Sequence, residues 1–171
     1  MAVSSILSSR RQASMYLSDV PEIEDLRIRF NPVQAQLIPA HVTLVREDEV
    51  HDWSVFETRI QEQLPIRLTL GFGCAVRDEN LVFLPAVLGV EQFDDLRHRL
   101  LSDGIKRPRN QTPHVTIIHP RNGTCTDAAF EEIAQRLQPF TTTLSEISLI
   151  EQTNGGPWVR LAHLGTGSNR Q

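Results

Sequence analysis

His41-Val42-Thr43-Leu44-Val45 is answered later in the chain by His114-Val115-Thr116-Ile117-Ile118, so one His-Val-Thr pattern occurs twice. Each copy follows a proline, Pro39 or Pro113, and is a run of aliphatic and β-branched residues broken by two polar positions, which reads as a buried strand. Side chains alternate along a strand, so His and Thr at i and i+2 share one face while the valine between them points to the other. Each copy therefore presents an imidazole beside a hydroxyl.

The flanking segments repeat too. Pro21 opens a helical pattern with Ile23, Leu26 and Phe30 in one stripe, and Asn31-Pro32 ends it. After the first motif a charged loop over 46–51 leads to Asp52, which stands as an N-cap ahead of Trp53, Phe56, Ile60 and Leu64. Pro65 stops that helix, and strands over 66–70 and 81–87 follow. In the second half, Phe93, Leu96 and Leu100 make a helical stripe that stops at Gly104, and the basic loop Lys106-Arg107-Pro108-Arg109 enters the second motif. Thr126 or Asp127 then caps a helix carrying Phe130, Ile133 and Leu137, and strands over 141–150 and 157–164 flank the hairpin signal Asn154-Gly155-Gly156.

The order helix, His-Val-Thr strand, helix, hairpin thus runs twice, over about 20–88 and 90–164, as in an internal duplication. The expected fold is α/β of the α+β kind and bilobal, with two units about a pseudo-two-fold axis that turns both His-Thr faces into one central cleft. A single domain is expected over 15–165, starting with a short strand at Met15-Tyr16-Leu17. Residues 1–14 are rich in Ser and Arg without an acidic side chain and are expected as a disordered tail, with a faint likeness to an organellar presequence; 166–171 read as a second tail.

Composition narrows the function. A net charge of −4 argues against neutralising a long nucleic-acid duplex, so a nucleic-acid partner is expected to be a small nucleotide or an RNA end. No apolar run reaches transmembrane length, which excludes the membrane. Cys74 and Cys125 lack companions at metal or redox spacing and are expected as free thiols in a reducing cytoplasm. A monomer is expected.

The repeated His-x-Thr resembles the signature of the two-histidine (2H) phosphoesterases, which include the 2′-5′ RNA ligases and 2′,3′-cyclic phosphodiesterases. The stretch Asn31-Pro32 through Ile38-Pro39-Ala40-His41-Val42-Thr43-Leu44 also resembles the bacterial RNA-ligase-like branch. The chain departs from it at Ala40, and at His119-Pro120, where some relatives place an arginine; Arg46 does follow the first copy. The resemblance implies His41, Thr43, His114 and Thr116 as the catalytic residues, with His114 as base and His41 as acid. It implies hydrolysis of a 2′,3′-cyclic phosphate or a 2′-5′ linkage, reversible as ligation when an RNA 5′-hydroxyl replaces water. An ADP-ribose derivative is a further candidate substrate.

The chemistry fits these residue types. Opening a cyclic phosphodiester needs a base for water and an acid for the departing oxygen, and histidine serves both near neutral pH. The threonines would donate to the non-bridging oxygens. No metal or cofactor is expected, because neither motif has a carboxylate or cysteine at ligand spacing and His119 and His51 fall in loops. Weaker candidates for substrate binding are Arg107 and Arg109 in the basic loop, Arg46, and the strand aromatics Phe83 and Trp158. By strict alternation Arg46 points away from the cleft unless its strand ends at Val45. His51, His98 and His163 are read as structural or surface groups. A second reading keeps the fold and drops catalysis, leaving a binding module for RNA ends or small nucleotides.

Overall fold

The computed structural model of the chain describes residues 8–101 and 110–165. The expected helix stop at Gly104 and the loop residues Lys106, Arg107 and Arg109 lie outside them. The described elements are, in order, β1 (Ser9–Tyr16), α1 (Pro21–Phe30), α2 (Pro32–Leu37), β2 (His41–Arg46), a 3-10 turn (Glu47–Glu49), α3 (Trp53–Glu62), β3 (Leu68–Phe72), β4 (Val76–Asp78), β5 (Leu81–Leu88), α4 (Val90–Leu101), β6 (His114–Ile118), α5 (Asp127–Arg136), β7 (Phe140–Leu144), β8 (Ile147–Thr153) and β9 (Trp158–Leu164).

Local chemistry sets the helix starts. The Asp52 carboxylate accepts from the backbone N–H groups of Ser54 and Val55, satisfying donors that have no partner within α3. Thr126 rather than Asp127 caps α5, accepting from the Ala129 N–H. Asn31-Pro32 ends α1 as expected, but Pro32 also starts the short helix α2, where its missing N–H costs nothing.

The strands form one antiparallel path, β7-β3-β5-β6-β2-β1-β8-β9, with β4 paired to β5. The two His-Val-Thr strands, β2 and β6, are neighbours at its centre, and Val42 pairs with Val115. Order on either side of that pair is mirrored: β1 flanks β2 as β5 flanks β6, and β8 follows β1 as β3 follows β5. A duplication is therefore present with shifted boundaries. The unit begins with a strand, β1 or β5; after α3 the strand β3 joins the other half, whereas after α5 the strand β7 stays in its own half and β8 crosses. The strands on either side of the β2–β6 contact make two quartets of one continuous path.

Residues 9–14 correct the expected tail. They belong to β1, which pairs with β2 on one side and β8 on the other. The expected single strand over 141–150 is likewise two strands, β7 and β8, with Ser145 and Glu146 between them. The Asn154-Gly155 turn holds, with φ of 51° and 72° joining β8 to β9.

Val42, Leu44, Val115 and Ile117 point into a core that also takes Leu26 of α1, Ile60 of α3, Phe93 and Leu96 of α4 and Ile133 of α5. The helices thus cover one face of the central strands and leave the His-Thr face open. Cys74 is exposed and Cys125 buried, both as free thiols. Among the described residues no helix is long and apolar enough to cross a membrane.

Candidate active site

The antiparallel register set by Val42 and Val115 puts His41 next to Thr116 and Thr43 next to His114, with the histidines on the diagonal. Diagonal neighbours of this kind lie roughly 7–8 Å apart at the backbone, which leaves room for a phosphate between the ring tips. All four side chains line one cleft of about 600 Å³. Both imidazoles are half-buried, and neither threonine hydroxyl has a partner among the described residues.

Each ring is held in the same way. His41 Nδ1 lies 2.8 Å from the Pro39 carbonyl and His114 Nδ1 lies 2.9 Å from the Thr112 carbonyl, both two residues back. A carbonyl only accepts, so each Nδ1 carries the hydrogen and each Nε2 is left to face the cleft, as lone pair or as N–H. The lead-in to His41 is clamped from α1. Glu24 accepts from the Ala40 N–H at 2.7 Å and Arg27 donates to the Ile38 carbonyl at 2.8 Å, while Arg27 and Glu24 pair with each other. On the other strand Gln111 is buried and donates to the Thr43 carbonyl at 2.6 Å, tying the second motif's approach to the first motif.

The two halves differ electrostatically. Desolvation above all holds the His41 pKa down at about 4; the Pro39 carbonyl opposes, and the neighbouring Arg27 guanidinium and His114 ring add to the lowering. The ring keeps some open surface in the cleft but is ringed by protein atoms. His41 is therefore neutral at pH 7 in the free protein.

Strict alternation fails after each threonine, and it fails identically. Ala13 pairs with Val45 and Ser14 with Thr43, which leaves Leu44 as an extra residue on β2. Val82 pairs with Ile118 and Phe83 with Thr116, leaving Ile117 extra on β6. Each bulge buries two consecutive apolar side chains and re-aims the residue five past the histidine. Arg46 and His119 consequently both line the cleft.

Among the expected binding residues, Arg46 and Trp158 line the cleft. Phe83 lines an adjoining hollow and meets His114 edge-on, with ring centroids 5.7 Å apart. Tyr16, which sequence reasoning missed, stands in the like relation to His41 at 6.3 Å. His98 and His163 lie outside the cleft lining, each with a local partner: the Asp94 carbonyl for His98 and Glu146 for His163.

Sequence reasoning also missed Arg10, His119 and Arg121. Arg10 lies over the Trp158 ring at 5.4 Å and donates to Gln152. His119 Nδ1 accepts from the Arg121 N–H at 3.1 Å, so in the neutral ring the hydrogen is on Nε2. Burial lowers the His119 pKa, and the cations of Arg121, Arg10 and Arg46 lower it further. Buried Asn31 anchors this corner, accepting from His119 N and donating to the carbonyl and side-chain oxygens of Asn122. Among the described residues, no three of His, Cys, Asp and Glu converge as metal ligands.

A family model described as the 2′-5′ RNA ligase superfamily matches residues 17–156. Among solved structures, the chain is similar to E. coli LigT complexed with NADP+, at 16% identity and a TM-score of 0.59, covering 92% of this chain and 97% of that one. It is similar to E. coli LigT in apo form at 17% identity and a TM-score of 0.58, covering 92% and 96%. A protein described as a phosphoesterase matches at 16% identity and 0.58, covering 92% and 98%. At these identities the likeness is one of fold. No curated protein sequence matches the chain.

Proposed function

The chain belongs to the 2′-5′ RNA ligase superfamily, and on that premise we propose that it is a metal-independent phosphoesterase that opens a 2′,3′-cyclic phosphate, or cleaves a 2′-5′ phosphodiester, by two-histidine acid-base catalysis. One observation carries this reading: both His-Thr pairs line one cleft, with both Nδ1 atoms engaged by carbonyls and both Nε2 atoms left for substrate. The family is one of phosphoesterases and ligases, which supports turnover over binding alone. All four groups come from one chain, consistent with action as a monomer.

With the phosphate between the rings, one Nε2 takes a proton from water as the water oxygen bonds to phosphorus. The P–O bond on the far side breaks, and the departing ribose oxygen receives the proton of the other Nε2. The products are a phosphomonoester and a free hydroxyl. Thr43 and Thr116 donate to the non-bridging oxygens as charge grows there. We assign His41 as base and His114 as acid in hydrolysis, the reverse of what the resemblance implies, because His41 is the ring whose surroundings keep it neutral. With an RNA 5′-hydroxyl in place of water, the same pair performs ligation: the base takes the hydroxyl proton as its oxygen bonds to phosphorus, and the acid protonates the departing ribose oxygen.

The test is purified protein against a panel of 2′,3′-cyclic nucleotides and 2′-5′ dinucleotides. Conversion of at least one class to a phosphomonoester is expected. Tight binding without any turnover would leave a binding module instead.

A further inference from the structure

We propose that the cleft contains a second anion subsite, made by Arg10, Arg46, Arg121 and the Nε2–H of His119, which takes a 5′-phosphate on the same nucleoside whose 2′,3′-phosphate lies between the histidines. The inference rests on the proposed function for the position of the first phosphate and adds the substrate class.

Three observations carry it. First, Arg10, Arg46 and Arg121 have no carboxylate within salt-bridge distance among the described residues, although the chain as a whole carries a net charge of −4. The other cleft arginines differ, since Arg11 pairs with Glu151 and Arg27 with Glu24. Glu47 and Asp48 also border the cleft, but the Glu47 carboxylate is turned to the Arg11 backbone N–H at 3.1 Å. Guanidiniums gathered without counter-charge repel one another and cost stability unless an anion joins them.

Second, the corner is built rather than loose. Arg10 is stacked on Trp158 and bonded to Gln152, so its fork is already oriented. Asn31 holds the backbone at His119 and Asn122, and Gly123 permits the close approach, since a Cβ there would meet Asn31 Nδ2 and Ile118 Cγ2 at 2.8 Å each. His119 spends Nδ1 on the Arg121 N–H, which leaves a donor for the ligand and no acceptor. Arg10, Arg46, Arg121 and the His119 Nε2–H thus all present donors, as a phosphate requires, with the Glu47 and Asp48 carboxylates at the border of the same cleft.

Third, the space suits two phosphates. The cleft of about 600 Å³ is far more than one phosphate fills and lies in the range of pockets that enclose a whole small ligand. The bulges at Leu44 and Ile117 put Arg46 and His119 in the same cleft as the His-Thr rectangle, so both groups act on one molecule.

The experiment compares kcat/KM for 2′,3′-cyclic AMP bearing a 5′-hydroxyl, a 5′-phosphate, or a 5′-linked second nucleotide. Both phosphorylated substrates should be preferred by about tenfold or more at low salt, with the preference falling as ionic strength rises. Preference for the monoester alone assigns the subsite to a free nucleotide; equal preference for the dinucleotide assigns it to an RNA 3′ end. Arg10→Gln and Arg121→Gln should each shrink the ratio toward one, and Arg121→Lys should keep part of it. A ratio near one in the unaltered protein overturns the proposal. Should no substrate turn over, the Kd of adenosine 3′,5′-bisphosphate is set against that of 3′-AMP. Tighter binding of the bisphosphate, lost in both glutamine variants, keeps the subsite and sinks the catalytic reading; equal binding sinks the subsite too.

Discussion

Leu44 in β2 and Ile117 in β6 are equivalent bulge residues, each three past its motif histidine and each the extra residue against the flanking strand. A bulge is a local event with a distant effect, because it exchanges the faces of everything after it. Without it Arg46 would leave the cleft together with Leu44, and the pair of histidines would be all that the two motifs contribute. With it, each motif supplies an imidazole, a hydroxyl and a third polar side chain at the fifth position. The duplication is thus one of backbone irregularity as well as of sequence. The fifth position then diverged, Arg46 in one half and His119 in the other.

Asn31 should be worth more to the fold than its surroundings suggest. It is fully buried, and Asn31→Ala would leave the His119 N–H and the Asn122 carbonyl without their partner at a half-buried site. Losing such partners costs about 1–3 kcal/mol for each stranded group. Gly123→Ala should destabilise by about 1–3 kcal/mol through overpacking against Asn31 and Ile118. Urea denaturation checks both, as a lower midpoint at unchanged slope. An unchanged midpoint in Asn31→Ala would mean the corner relaxes to water at no cost.

The motifs were legible because their chemistry is local. A histidine and a threonine two apart on a strand must share a face, and an aspartate or threonine before an apolar stripe caps a helix, as Asp52 and Thr126 do. Strand β1 was legible only at its end, as the short strand at Met15-Tyr16-Leu17. Ser9-Arg10-Arg11-Gln12 carries no apolar alternation, and its strand state comes from pairing with β2 and β8, whose residues lie far along the chain. The loss mattered, since Arg10 sits on the part that was missed. The bulges left only a trace, the consecutive apolar pairs Leu44-Val45 and Ile117-Ile118, which strict alternation treats as one residue too many.

The pH profile should report the cation beside His41. If His41 is the base, kcat/KM rises with pH along an acid limb set by its own pKa, which surroundings hold near about 4 rather than at the ordinary histidine value. Arg27→Gln removes a positive charge that disfavours the protonated ring, so the limb should move to higher pH. Arg27→Lys keeps the charge and should leave the limb nearly in place. A limb that ignores both changes would place the base elsewhere.

Turnover should survive a chelator. The proton transfers proposed need only the two imidazoles, and the two threonine hydroxyls lie in the same cleft to meet the charge on phosphate. The check is the rate before and after extensive treatment with a chelator of divalent ions. Loss of activity that zinc or another divalent ion restores would move the chemistry to a metal.

The sharpest expectation concerns the division of labour between the histidines. His41→Ala and His114→Ala should each lower turnover by about 10²- to 10⁴-fold, the usual worth of a positioned acid or base. Thr43→Ala and Thr116→Ala remove a hydrogen-bond donor rather than a proton carrier, and should cost at most about 2–4 kcal/mol of barrier. The roles separate with a substrate whose leaving group needs no proton, such as a nitrophenyl phosphodiester. That substrate should restore most of the rate to the variant lacking the acid and leave the variant lacking the base slow. With His41 as base, rescue belongs to His114→Ala. Rescue of His41→Ala instead would return the roles to those the family resemblance implies, and would mean that the bound phosphate, an anion beside the ring, overrides the desolvation and the Arg27 charge that keep His41 neutral in the free protein. Rescue of both, or full activity in either alanine variant with a cyclic phosphate, would show that the two rings do not share the proton transfers at all.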